Sequence, residues 1–195
     1  MGGESASAKE DKIYYKVQNI VASASLDVDI DLFSLALTLD NVEYEPEQFP
    51  GAILRIENPR SRLLVFKNGK LICTGNRNRE QIRQAIRKTI ELLKEAQPHL
   101  KLPDPDSVDF RVENIVASAS LGVTVDLYSL AATLDNVEYE PEQFPGAIIR
   151  IRDPKATILL FKNGNLICAG VRKEEDIVRA IKKVRELIKD FVQKR

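Results

Sequence analysis

The chain states one sequence twice. Asn19–Leu26 and Asn114–Leu121 both read NIVASASL, and Thr38–Ile53 and Thr133–Ile148 both read TLDNVEYEPEQFPGAI. The spacing between copies is the same for both segments, so no insertion or deletion separates them. Roughly two thirds of positions match across the two units, which makes the repeat domain-sized. Two such halves predict packing about a pseudo-two-fold axis. They also predict a partner with approximate two-fold symmetry of its own, because it meets the same surface twice.

At 195 residues the chain has room for one substantial core or two small fused ones. Its formal net charge is zero, which is not the basic footprint of an ordinary nucleic-acid binder. Any nucleic-acid reading must therefore rest on shape and apolar contact. Cys73 and Cys168 fall at equivalent repeat positions inside apolar strands; they read as small buried hydrophobes, not as a disulfide. No apolar run approaches the ~18 residues of a membrane span, and no signal peptide is visible. The sequence points to a soluble protein in a reducing, intracellular setting.

Residues 1–12 lack apolar periodicity and read as a disordered tail. The repeats are expected over 13–96 and 108–195, with the segment QPHLKLPDPD marking a linker at 97–107. Within the first unit, Ile13–Ser25 reads as a strand, and Asp31 is placed to cap a short helix with Leu32, Leu35, Ala36 and Leu39 on one face. A short strand near Val42–Tyr44 precedes a loop at Glu45–Gly51. Strands over Ala52–Glu57, Arg62–Lys67 and Lys70–Gly75 follow, separated by the turn signals Asn58-Pro59 and Asn68-Gly69. An amphipathic helix closes the unit, with Ile82, Ala85, Ile86, Thr89, Ile90 and Leu93 as its stripe and Arg79, Arg83, Arg87 and Lys88 opposite. The order strand, helix, four strands, helix predicts an α+β fold with mostly antiparallel pairing.

A half-solvated antiparallel strand alternates apolar and polar residues. Leu63-Leu64-Val65-Phe66, Ile158-Leu159-Leu160-Phe161, Asn19-Ile20-Val21-Ala22 and Leu71-Ile72-Cys73 instead put apolar side chains on both faces. Two helices per unit cover one face but hardly two, so the other is a large exposed apolar surface or belongs to a partner. One turn decides which residues lie on it. A two-residue loop at Asn68-Gly69 pairs Phe66 with Leu71, whereas a three-residue loop with Gly69 left-handed pairs Phe66 with Lys70. The second grouping puts Leu64, Phe66, Lys70, Ile72 and Thr74 together and keeps Lys70 out of the core, and is preferred for that reason.

The paired NIV segments, the paired EPEQFPG segments, the paired strands ending in Phe before Lys-Asn-Gly, and ICTG with ICAG together resemble the TATA-box-binding protein family. The resemblance covers nearly the whole chain after the tail. It implies a saddle: a curved antiparallel ten-stranded sheet with four helices on the convex face. It implies a general transcription initiation factor that binds the minor groove of promoter DNA, kinks it and recruits transcription factor B and RNA polymerase. Phe49 with Phe66, and Phe144 with Phe161, resemble the family's intercalating wedges, with Pro50 and Pro145 beside them. Asn19 and Asn114 resemble the central pair that bonds base edges. Val21, Leu64 and Ile72, with Val116, Leu159 and Ile167, resemble the apolar lining, and Arg55, Lys70, Arg77, Arg150 and Arg172 the phosphate contacts. Glu140, Glu142 and Gln143 resemble the stirrup that engages transcription factor B, although Glu45, Glu47 and Gln48 repeat it in the first unit.

Among these candidate site residues, two positions differ between the halves. Thr74 becomes Ala169, which removes a hydroxyl from one half, and Lys70 becomes Asn165. His99 stands alone, and no nucleophile–base–acid set, phosphate-binding glycine loop or Cys/His cluster is present in the sequence. Neither catalysis nor a cofactor is expected. The near-identical halves look archaeal more than eukaryotic, which implies a cytoplasmic, nucleoid-associated protein in the first case and a nuclear one in the second. The rival reading is a protein-interaction scaffold that uses the same surface without DNA.

Overall fold

The computed structural model describes residues 12–193; the tail expected over residues 1–12 lies, apart from Lys12, outside them. The elements run β1 (Tyr15–Ser25), α1 (Leu32–Thr38), β2 (Val42–Glu43), β3 (Ala52–Glu57), β4 (Arg60–Val65), β5 (Lys70–Asn76) and α2 (Arg79–Ala96). After a 3-10 turn at Pro105–Ser107 come β6 (Phe110–Ser120), β7 (Thr124–Val125), α3 (Leu127–Thr133), β8 (Val137–Glu138) and β9 (Ala147–Arg152). The chain continues through β10 (Lys155–Leu160), β11 (Asn165–Val171), α4 (Glu174–Ile188) and β12 (Val192–Gln193). The first five sheet strands hydrogen-bond in the order β2-β3-β4-β5-β1, and their counterparts in the order β6-β11-β10-β9-β8. Among the described residues, contacts divide the chain into two compact units, 18–114, and 115–193 with 12–17.

In the unit 18–114, Asp31 caps α1 by accepting from the Ser34 N–H at 3.1 Å, and Asn78 caps α2 by accepting from the Gln81 N–H at 2.8 Å. Each cap satisfies an N–H that the helix leaves without a partner. The buried residues of α2 are Ile82, Ala85, Ile86, Thr89, Ile90 and Leu93, the stripe expected from the 3.6-residue period. They pack with Leu54, Leu63, Val65, Leu71 and Cys73 of the sheet, all nearly without solvent contact. Part of the opposite, basic face of α2 is engaged by its own unit: the Arg79 guanidinium lies 4.5 Å above the Phe110 ring, and Arg87 is paired with Asp106. In the unit beginning at Ile115, α4 buries Ile177, Ala180, Ile181, Val184 and Ile188 against Ile149, Ile158, Leu160, Leu166 and Cys168. Both cysteines are free and buried. Burial pushes the Cys73 thiol up to about 12 and the Cys168 thiol up to about 11.

The register settles the turn. The Phe66 N–H donates to the Lys70 carbonyl at 2.9 Å, Val65 pairs with Leu71 and Leu64 with Ile72. Gly69 has φ +87°, and a Cβ there would stand 2.5 Å from the Val28 carbonyl oxygen. The three-residue loop is therefore the one formed, and only glycine fits its left-handed position. Three details differ from the sequence reading. The first strand begins at Tyr15, not Ile13. The strand expected over Arg62–Lys67 runs Arg60–Val65, because Glu57 pairs with Arg60 directly across Asn58-Pro59 while Lys67 is taken into the next turn. Finally, β7 and β12 form a two-stranded pair of their own, too short to leave a periodic signal.

Candidate nucleic-acid interface

Strand alternation sorts each sheet into two faces. On β4, Leu63 and Val65 are 0% exposed, whereas Leu64 between them is half-buried. On β10, Ile158 and Leu160 are 0% exposed and Leu159 is half-buried. Val21, Ile53 and Ile72 share Leu64's intermediate exposure, as do Val116, Ile148 and Ile167 in the other unit. In each unit the helices cover one face, and the second, equally apolar face keeps contact with solvent. That is the surplus surface read from the doubled hydrophobicity of the strands.

Each unit stands a pair of phenylalanines on this face. Phe49 comes from the loop before β3, where the Gln48 and Phe49 N–H groups both donate to the Glu45 carbonyl at 3.0 Å. Phe66 follows β4. Their rings meet edge to face with centroids 5.8 Å apart, and Phe144 and Phe161 meet at the same 5.8 Å. None of the four is buried, and Phe144 is 36% exposed; Pro50 and Pro145 beside them are exposed as well. The sequence reading missed what lets the rings stand there. A Cβ on Gly51 would lie 2.9 Å from Phe49 and 3.1 Å from Phe66, and one on Gly146 would lie 2.9 Å from Phe144 and 3.1 Å from Phe161. The glycines were visible in both FPG segments, but nothing in the sequence told which ring lies over them.

Asn19 sits on β1 with its amide fixed. The Gly75 N–H donates to Asn19 Oδ1 at 2.7 Å, and Asn19 Nδ2 donates to the Thr74 hydroxyl at 2.9 Å. A backbone donor must face the amide oxygen, so the side chain has one orientation, and its NH2 retains a second donor. A bulge makes this possible: the β1–β5 register shifts between Ile20 and Ala22, and Gly75 takes φ +99°. In the other unit the register shifts likewise between Cys168 and Val171, with Ala169 where the first has the Thr74 hydroxyl.

The basic residues fall around these groups. Arg55 on β3 is paired with Glu43 at 2.9 Å, and Arg150 on β9 with Glu138 at 2.9 Å. Both pairs are solvent-exposed, so they hold the guanidinium in place at little cost to exchange for another anion. Lys70, Arg77 and Arg172 are exposed, Lys70 at the start of β5 and the two arginines just after β5 and β11. Glu140, Glu142 and Gln143 are exposed on the loop before Phe144, whose turn closes through the Gln143 N–H to the Glu140 carbonyl at 2.9 Å. Arg62, on the same face as Leu64, went unnoticed in the sequence although the alternation Arg62-x-Leu64-x-Phe66 carries it.

A family model described as "Transcription factor TFIID (or TATA-binding protein, TBP)" matches residues 14–96 and again 109–191. The TATA-box-binding protein of Pyrobaculum neutrophilum is 42% identical over 177 residues, covering 91% of this chain and 88% of that protein. That of Thermoplasma volcanium is 44% identical over 172 residues, covering 87% and 91%. Among solved structures, Methanococcus jannaschii TBP superposes with a TM-score of 0.83 at 40% identity, covering 90% of this chain and 98% of that one. The fold class expected from the sequence is thus the one this chain shares with its relatives. With two matches that together span most of its length, the chain belongs to the TATA-binding protein family.

Proposed function

We propose that this protein is a general transcription initiation factor that binds A/T-rich promoter DNA through the minor groove and bends it. The observation that carries the reading is the combination on one sheet face of half-exposed apolar residues, paired solvent-accessible phenylalanines and an asparagine whose NH2 points away from its own backbone partner. A·T pairs show the minor groove only acceptors, A N3 and T O2, while G adds an N2 amino group. An amide donor set among Val21, Leu64 and Ile72 suits the first and is obstructed by the second; Asn114 among Val116, Leu159 and Ile167 does the same.

Phe49, Phe66, Phe144 and Phe161 act as wedges between base steps, with Pro50 and Pro145 buttressing them. Wedging costs a few kcal/mol per step and is cheapest at flexible steps such as TA, which the handling of kinked minor grooves by this family exemplifies. Arg55, Arg150, Lys70, Arg77 and Arg172 take phosphates, the first two by exchanging their glutamate partners. The two repeats, 13–96 and 108–195 joined by a linker at 97–107, each supply one half of the grip. Glu140, Glu142 and Gln143 form the exposed acidic loop that meets transcription factor B, and through it RNA polymerase. No step of this function needs a catalytic group, and among the described residues no helix is long and apolar enough to cross a membrane.

The test is affinity for a short TATA duplex against the same duplex with its central pairs changed to G·C. The expected result is a preference of at least about tenfold, since one mismatched pair commonly costs ~1–3 kcal/mol. Equal affinity for the two duplexes contradicts DNA recognition and favours the protein-scaffold reading of this face.

A further inference from the structure

Each repeat carries the same pair of rings and the same acidic loop, yet the row of residues beside the base-reading amide differs between them. In the first repeat, β3, β4 and β5 set Arg55, Arg62 and Thr74 directly opposite one another, and Thr74 is bonded to Asn19. The equivalent row in the second repeat is Arg150, Thr157 and Ala169. The outer arginine of each row is paired alike, with Glu43 or Glu138. Arg62 is different: it is exposed, and among the described residues it is paired with no carboxylate.

The second repeat does not lack charge; it places it elsewhere. Where the first has Glu57 opposite Arg60, the second has Arg152 opposite Lys155, at the hairpin end of the strands. The surplus cation thus sits in the amide row of the first repeat and in the turn row of the second. Arg62 opens into a trough of about 650 Å³ on its face, walled also by Asn19, Arg55, Arg60 and Thr74, with Glu57 its one carboxylate. A guanidinium there offers a fork of donors and no acceptor, the geometry that grips a phosphate by two bonds. A threonine hydroxyl brings no charge.

We propose that Arg62 is a further DNA-contacting residue, a phosphate ligand present in the first repeat only. The proposal rests on the minor-groove reading above.

The test is affinity for a TATA duplex and for its G·C-substituted control, each measured across a range of salt. Arg62→Thr is expected to lower the slope of log affinity against log salt by about 1, so that a fourfold rise in salt weakens it about 3- to 4-fold less than the wild type. Arg62→Lys keeps the charge and is expected to keep the slope. If Arg62→Thr still prefers TATA to the G·C control with its slope unchanged, the proposal is overturned while the minor-groove reading stands. If the wild type itself fails to prefer TATA, the underlying reading is what has failed.

Discussion

Phe161→Ala is expected to abolish much of the bend in a TATA duplex while leaving the folded protein nearly intact. The ring is only half-buried, and its principal partner is the edge-on contact with Phe144 at 5.8 Å. Such a contact contributes ~0.5–1.5 kcal/mol, which for a chain of this size corresponds to a melting temperature lower by about 2–5 °C. On DNA the same ring passes from half-exposed to enclosed between bases, and burying a phenylalanine returns ~1.5–3 kcal/mol. Its loss is therefore expected to weaken TATA binding about 10- to 100-fold, with reduced fluorescence transfer across the bound duplex. A buried core phenylalanine cut to alanine costs ~3–5 kcal/mol instead. A melting temperature lower by about 10 °C with bending retained contradicts the wedge assignment and returns the ring to the core.

Leu63→Ala and Leu64→Ala are expected to separate the two faces of one strand. Leu63 is 0% exposed and lies on the face that the helices of its unit cover, so its truncation leaves a cavity and costs ~2–5 kcal/mol. The melting temperature is expected to fall on the order of 10 °C, with affinity per folded molecule unchanged. Leu64 is half-buried on the other face. Its truncation is expected to cost the fold under about 1 kcal/mol and to weaken TATA binding about tenfold, because its remaining area is buried only against DNA. Thermal melts and titrations of both variants decide it. If both fall alike in stability and neither in affinity, the strand has no free face.

Much of this was legible because the chain violates a rule in a consistent way. Strands such as Leu63–Phe66 and Ile158–Phe161 are apolar at successive positions, which no one-sided antiparallel sheet requires, and the structure has one side under helices and one side without. The choice between registers was legible in Lys70, whose charge excluded it from the helix-covered face, and Gly69 supplied the left-handed residue that the longer turn needs. Other features had no signal to read. The bulge at Gly75 advances one strand by a residue and thereby aims Asn19 at the Gly75 N–H; periodicity is blind to such a shift. The pairing of Val192 with Val125 involves two-residue strands, below any period. The ion pairs of Arg55 and Arg150 depend on which short edge strand lies beside β3 and β9, a matter of tertiary register. The pairing of Gly51 and Gly146 with the phenylalanines was hidden for the opposite reason. A glycine after proline already has an explanation as a turn residue, and only the distances from its missing Cβ to the rings reveal the second role.

The central claim is that the protein reads the minor groove through an apolar face, and inosine tests it most directly. An inosine·cytosine pair presents the major groove with the same acceptors as G·C but lacks the N2 amino group in the minor groove. The measurement is competition between three duplexes for the wild-type protein: TATA, its G·C-substituted version and its I·C-substituted version. I·C is expected to bind nearly as well as TATA while G·C is rejected. If I·C is rejected together with G·C, sequence is being read from the other groove and minor-groove recognition is wrong.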